Sequence, residues 1–296
     1  MKENGVIVHP EWRELVSGLR GTKEAVVYLL GATDTGKSTL CRFLVEEISR
    51  DSVSAYLDCD TGQSTIGPPA TVGLALYRDG GRVPFRTALR FVGSTSPSGH
   101  LIQEMAGAAR LLQMAHESDA SYIIIDSPGW VSGLVAGEFH IRMIDILNPG
   151  LLLAVSREDE LDPILANFRG RPGMEVRTLS PSLSVRTRSR SWRTWYRMEK
   201  FRDYFSRAVS WEMPLEGVGF HGRVPETFRE EVWRGLLVGL CDREMLAISL
   251  GIVESLDVVR GIIRFRAPLE NLGGISSIQV GSVYLDPATG FSQDYR

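Results

Sequence analysis

The residues best suited to chemistry lie between Gly31 and Thr39, in the run GATDTGKST. Glycine at 31 and 36, lysine at 37 and serine at 38 give the spacing G-x-x-x-x-G-K-S. A loop of that spacing turns backbone N–H groups towards the phosphates of a nucleotide at the N-terminus of a helix, where the helix dipole also favours negative charge. Gly31, Ala32, Thr33, Asp34, Thr35, Gly36, Lys37, Ser38 and Thr39 are therefore the expected nucleoside triphosphate cradle. Lys37 supplies a point charge to the transferring phosphate, and the Ser38 hydroxyl is a ligand for Mg²⁺. Lysine is otherwise scarce, occurring at 2, 23, 37 and 200.

Two further sets of side chains bear on the same chemistry. Asp58, Asp60 and Asp126 each follow an apolar, strand-like run. In a doubly wound sheet such carboxylates lie on the rim that carries the phosphate loop. Between Arg186 and Arg207 stand eight basic residues against Glu199 and Asp203, and arginine is the preferred side chain for bidentate phosphate contacts. By composition alone that stretch also reads as a solvated helix face.

The elements that must position these groups follow from apolar periodicity. Ala25 to Leu30, 52–57, 89–92, Tyr122 to Ile125, 150–155 and 173–179 read as strands. The isoleucine run of 123–125 suits a strand buried on both faces. Helices are expected after the phosphate loop and over 101–114, 137–147 and 160–168. His9 to Trp12 reads as a turn, with Trp12 as a packing residue. The alternation predicts an α/β fold, a P-loop NTPase with a mostly parallel, doubly wound sheet. From about residue 212 short apolar segments (235–240, 246–253, 258–265, 277–285) suit a small β-rich unit. The expected division is an entry segment 1–24, a P-loop domain 25–210 with its arginine-rich lid at about 186–207, and a β-rich C-terminal domain 211–296.

Composition bounds the rest. The chain has 296 residues, 43% of them hydrophobic, and a formal net charge of -3, so overall charge argues neither for nor against nucleic acid. No apolar run reaches the roughly 18 residues of a membrane span, and the N-terminus lacks a signal-peptide core. Cys41, Cys59 and Cys241 neither pair evenly nor sit at metal-ligand spacing. They are expected as core residues of a soluble protein in a reducing cytoplasm.

Taken in order, these motifs resemble one family, the polynucleotide 5′-hydroxyl kinases that include the RNA kinase of the messenger-RNA 3′-end cleavage machinery and the ribosomal-RNA processing kinases. The resemblance rests on GATDTGKSTLCR (31–42), DCDTGQS (58–64), GSTSP (93–97), SPGW (127–130), RSRSWR (188–193) with Phe201 to Phe205 after it, and Gly239 to Asp242. It implies transfer of the γ-phosphate of ATP, or another NTP, with Mg²⁺, to the 5′-hydroxyl end of RNA or DNA. It further implies that Asp60 is the base on the attacking hydroxyl and Gln63 a strand contact. Ser127, Gly129 and Trp130 match the family's clasp, with Trp130 stacking a terminal base, and Thr95 and Ser96 match its companion loop. Arg188 and Arg193 match the lid arginines. Asp58 or Asp126 would support the metal with Ser38. Arg190, Arg197 and Arg202 stay open between strand contacts and plain surface.

The chain departs from the family pattern in three places. Ala32 stands where proline is frequent, Ser127 replaces the clasp threonine, and the phosphate loop begins at residue 31 without the β domain that precedes it in eukaryotic relatives. Two other functions remain in view: an ATP-bound scaffold of an RNA-processing complex, and a P-loop kinase for a small metabolite. A switch GTPase is disfavoured because no N-K-x-D tetrapeptide occurs.

Overall fold

The computed structural model describes residues 2–3, 6–182, 185, 187–227 and 229–287; Arg186 of the lid stretch lies outside them. In chain order the elements are β1 (Lys2–Glu3), β2 (Val6–Ile7), α1 (Pro10–Arg20), β3 (Ala25–Leu30), α2 (Lys37–Ile48), β4 (Ser54–Asp58), β5 (Thr71–Tyr77) and β6 (Arg86–Phe91). There follow α3 (Leu101–Glu117), β7 (Tyr122–Asp126), α4 (Leu134–Leu147), β8 (Leu151–Val155), α5 (Asp162–Leu165), β9 (Glu175–Leu179) and α6 (Arg190–Phe205). The chain continues through β10 (Val209–Pro214), β11 (Gly219–Gly222), α7 (Glu230–Trp233), β12 (Leu236–Cys241), β13 (Ala247–Asp257), β14 (Ile262–Ala267) and β15 (Ser277–Tyr284).

These elements build two compact units that interleave in sequence. The first comprises residues 1–60, 73–87 and 104–188, and the second 61–72, 88–103 and 189–296. The first is organised on a seven-stranded sheet of order β6-β5-β4-β7-β3-β8-β9. From β4 to β9 all neighbouring strands are parallel, and β4 pairs antiparallel with β5. The fold class expected from the alternation is therefore observed. Ile123, Ile124 and Ile125 of β7 are fully buried, each such side chain being worth about 1.5–3 kcal/mol on removal from water.

Among the differences from the sequence expectation are α1 and β5. The turn expected at His9–Trp12 is the start of α1, where Pro10 occupies the first helical turn without sacrificing a needed N–H. Trp12, Leu15, Val16 and Leu19 recur at helical spacing and are buried. Trp12 packs as expected, its ring 5.4 Å from that of Phe43. Strand β5 was not foreseen, because a rule of strand and helix in alternation has no place for an antiparallel neighbour of β4.

The second unit is built on a six-stranded sheet of order β10-β14-β13-β12-β15-β11, antiparallel except for the β11–β15 pair. One cluster of its core joins Ala70 and Phe91 to Phe201, Phe205, Leu237, Leu250 and Val283. At Gly239 a Cβ would fall 2.6 Å from the Phe91 side chain, so glycine there is what lets Phe91 approach the strand this closely. The three cysteines are free and buried. Among the described residues no helix is long and apolar enough to cross a membrane.

Candidate active site

The phosphate loop joins the buried end of β3 to α2. Gly36 precedes the helix in the left-handed region, at φ 94°, where glycine carries no steric penalty. It has no side chain to cap the helix, so the N–H groups of the first turn are left to an anion. Gly31 is fixed by contact: a Cβ there would stand 2.5 Å from the carbonyl oxygen of Val155 at the end of β8. Lys37 is buried, and its Nζ donates to the carbonyls of Gly31 at 2.6 Å and Ala32 at 3.0 Å. Burial lowers its pKa, opposed by the charges of Asp126 and Asp60.

The acidic side chains sit where two parallel strands end together. Asp58 and Asp126 are register partners of β4 and β7, and both are buried. Asp126 accepts from the Tyr56 hydroxyl at 2.9 Å through Oδ2, while its Oδ1 is buried with no hydrogen-bond partner among the described residues. Burial raises the Asp126 pKa, with the Lys37 charge and the Ser38 hydroxyl working the other way. A carboxylate oxygen of this kind beside Ser38 fits a hard cation bound also by phosphate oxygens. Among the described residues no cluster of three or more His, Cys, Asp or Glu forms a closed metal cage, and Mg²⁺ at phosphates does not require one. Asp58 Oδ1 instead accepts from the backbone N–H of Asp60 at 3.1 Å, shaping the turn that presents Asp60. Asp60 is half-buried.

The SPGW loop is seated directly on the phosphate loop. Thr33 donates to the Gly129 carbonyl through both its backbone N–H and its hydroxyl, each at 3.2 Å. A Cβ at Gly129 would fall 2.6 Å from Thr33 Oγ1 and 2.8 Å from its backbone, so only glycine allows the approach. Trp130 is half-buried, its ring 6.3 Å from that of Phe139.

Several residues that hold the site were not foreseen. His140 is fully buried on α4, with Nε2 3.0 Å from the Trp130 carbonyl and Nδ1 3.0 Å from the Tyr28 hydroxyl. A carbonyl only accepts, so the proton is on Nε2, and Nδ1 accepts from Tyr28. Burial pushes the His140 pKa down to about 3, which keeps this relay neutral. Arg157, just past β8, donates to the Asp34 carbonyl at 2.7 Å. Its position on the phosphate-loop rim was the available signal. Glu104 on α3 is fully buried, with both carboxyl oxygens lacking a hydrogen-bond partner among the described residues. Burial and the charges of Asp60 and Asp58 raise its pKa well above the usual range.

Of the two arginines expected in a lid, Arg188 belongs to the first unit. Its backbone N–H donates to Asp34 Oδ2 at 2.9 Å, which pins the start of the lid stretch to the phosphate loop. Arg193, Gln63, Thr95 and Ser96 belong to the second unit. Arg193 sits in the first turn of α6, whose N-cap Ser189 accepts from the Trp192 N–H. The GSTSP loop is mounted on β15: Gly93, at φ 85°, accepts at its carbonyl from the Ser282 N–H at 2.8 Å. A Cβ on Gly93 would fall 2.6 Å from Gly281 Cα. Within that loop Ser96 donates its N–H to Ser94 Oγ at 3.2 Å.

The chain is similar to several known proteins. A polyribonucleotide 5′-hydroxyl-kinase of Pyrococcus furiosus is 28% identical, the match covering 93% of this chain and 92% of that one. A polyribonucleotide 5′-hydroxyl-kinase of Methanocaldococcus jannaschii is 27% identical over 94% of this chain and 92% of its own. A CLP1 homologue of Anopheles gambiae is 28% identical over 72% of this chain and 54% of its own. The structure of wild-type Clp1p in complex with Pcf11p has the same fold, with a TM-score of 0.71 at 13% identity, covering 96% of this chain and 82% of that one. The family described as mRNA cleavage and polyadenylation factor CLP1 P-loop matches residues 31–207, more than half of the sequence, and the chain belongs to that family.

Proposed function

We propose that this protein is a polynucleotide 5′-hydroxyl kinase, moving the γ-phosphate of ATP or another NTP to the 5′-hydroxyl end of an RNA or DNA strand in the cytoplasm. The observation that carries the reading is the convergence of Lys37, Asp60, Asp126 and the SPGW loop around one phosphate loop. The naming of archaeal relatives as polyribonucleotide 5′-hydroxyl-kinases supports RNA as the acceptor.

In this reading Asp60 takes the proton of the 5′-hydroxyl as its oxygen attacks the γ-phosphorus, and the bond to the β,γ-bridging oxygen breaks to release the NDP. Lys37, Arg188 and Arg193 stabilise the charge that spreads over the transferring group. The N–H groups of Gly31 to Thr39 hold the remaining phosphates. Ser38 and Asp126, with Asp58 behind them, would hold Mg²⁺, which when bound neutralises charge on the phosphate oxygens. Trp130 stacks the terminal base, and Ser127, Gly129, Gln63, Thr95 and Ser96 are the expected strand contacts. The half-burial of Asp60 and the deeper burial of Asp126 support Asp60 as base and Asp126 as metal support.

The test is transfer of label from γ-³²P ATP with Mg²⁺ to matched 5′-hydroxyl RNA and DNA oligonucleotides. The wild type should label an oligonucleotide, whereas Lys37→Ala and Asp60→Asn should lose about 10²-fold or more in kcat. ATP binding without transfer to either strand would instead support a nucleotide-bound scaffold. Near-normal turnover by Asp60→Asn, with loss in Asp126→Asn, would exchange the two carboxylates' roles.

A further inference from the structure

Helix α4 buries one face, made of Ala136, Phe139, His140, Met143, Ile144 and Leu147. His140 breaks that apolar row. A fully buried imidazole costs free energy unless both ring nitrogens are paired, and here both are. Nε2–H donates to the Trp130 carbonyl and Nδ1 accepts from the Tyr28 hydroxyl, each at 3.0 Å. The donors therefore run one way, from Tyr28 through His140 to Trp130. Leucine at 140 would fill the same face without these bonds, so packing alone does not account for histidine.

The two ends of this relay differ in freedom. Tyr28 is fully buried in β3, between Ile125 of β7 and Leu152 of β8, and cannot shift without the sheet. Trp130 lies in the irregular stretch between β7 and α4 and is half-buried. His140 carries the rigidity of the strand to that loop. The rings repeat the connection: that of Trp130 is 6.3 Å from Phe139, Phe139 meets His140 edge-on at 5.3 Å, and His140 meets Tyr28 edge-on at 6.4 Å. The preceding carbonyl, of Gly129, is held by Thr33. Two consecutive carbonyls are thus fixed by two different elements, and the backbone that aims the Trp130 side chain keeps little freedom. A ring already held in place gives up less entropy when a ligand stacks on it.

We propose that His140, braced by Tyr28, is a positioning residue for Trp130, fixing the tryptophan's carbonyl and through it the aim of the ring before the terminal base arrives. The role rests on the polynucleotide kinase reading for its ligand. It acts through Trp130 alone, so it bears on the acceptor strand and leaves ATP affinity untouched. The experiment measures binding of 3′-labelled 5′-hydroxyl RNA and DNA oligonucleotides by fluorescence anisotropy, ATP binding by calorimetry, and steady-state labelling from γ-³²P ATP. It compares the full-length wild type with His140→Leu, His140→Gln, Tyr28→Phe and Trp130→Ala, and with His140→Leu made in the Trp130→Ala background.

His140→Leu should weaken strand binding and raise the KM for the strand by about 5-fold, the order of one lost hydrogen bond, with kcat and the KM for ATP unchanged. Tyr28→Phe removes only the brace and should lose about 2-fold; it carries the test if the leucine variant fails to fold. His140→Gln, whose amide N–H can still donate to the Trp130 carbonyl, should recover most of the affinity. In the Trp130→Ala background the leucine substitution should cost nothing further, because its effect passes through the missing ring. Losses of equal size with and without Trp130, or a parallel loss of ATP affinity, would make His140 a general core residue and overturn the role. If the wild type binds a strand with these coupled losses but labels none, the kinase reading falls and the positioning role stands. Labelling with a strand KM indifferent to His140→Leu and Tyr28→Phe means the reverse, and a wild type that neither binds nor labels a strand overturns both.

Discussion

At the scale of single residues, the proposed site has groups of two kinds, those expected to touch substrate and those that hold them still. The first kind was legible because its spacing is chemical: Gly36, Lys37 and Ser38 must be consecutive to do their work. The second kind was not. Nothing in the sequence distinguishes His140 from an ordinary core histidine, and its use becomes visible only where Tyr28 and the Trp130 carbonyl meet it. Its pKa, near 6.5 in the unfolded chain, falls to about 3 on folding. The unfolded chain therefore binds the extra proton first. The stability that neutral His140 contributes is fully present above about pH 6.5 and drains away as the pH falls towards about 3. The slope should approach about 1.4 kcal/mol per pH unit within that window. Urea unfolding at a series of pH values should show this slope in the wild type and a shallower one in His140→Gln. Equal slopes would mean that another group sets the acid sensitivity.

At the scale of elements, the phosphate loop is a junction. Thr33 ties it to the SPGW loop, Asp34 ties it to Arg157 and to the Arg188 backbone, and Gly31 rests on β8. Asp34 adopts φ 57°, which aspartate and asparagine tolerate better than alanine. Asp34→Ala should release the start of the lid stretch and lower kcat/KM for ATP by about 10-fold, of the order of a lost charge-assisted hydrogen bond. Asp34→Asn, which can still accept from the Arg188 N–H, should lose less. Hydrogen exchange at Arg188 gives an independent reading, faster in the alanine variant; unaltered exchange would break the connection drawn here. The parallel strands were readable from their apolar runs, since burial on both faces demands them. Strand β5 was hidden because its antiparallel pairing with β4 follows no alternation, and α1 because a His-Pro pair reads as a turn until the packing of Leu15, Val16 and Leu19 is seen.

At the scale of the whole molecule, the two compact units cross the contiguous division that a sequence invites. Residues 61–72 and 88–103 belong with 189–296, and Ala70 and Phe91 fill a core whose other members come from beyond residue 200. A fragment of residues 211–296 would lack Phe91 against Gly239 as well as Phe201 and Phe205. It should show weak near-ultraviolet circular dichroism and a broad thermal transition in place of a cooperative one. A sharp transition in that fragment would show that the β-rich stretch is self-sufficient. Composition could not disclose this, because chain order says which residues are neighbours in sequence and little about which share a core. The cysteines leave a last, practical consequence. All three are buried, and burial raises each thiol's pKa, so almost no thiolate is available to an alkylating reagent at neutral pH. The native chain is thus a silent background for dye chemistry, and one cysteine introduced at exposed Ser191 would place a single fluorophore on α6 without first removing any of its own.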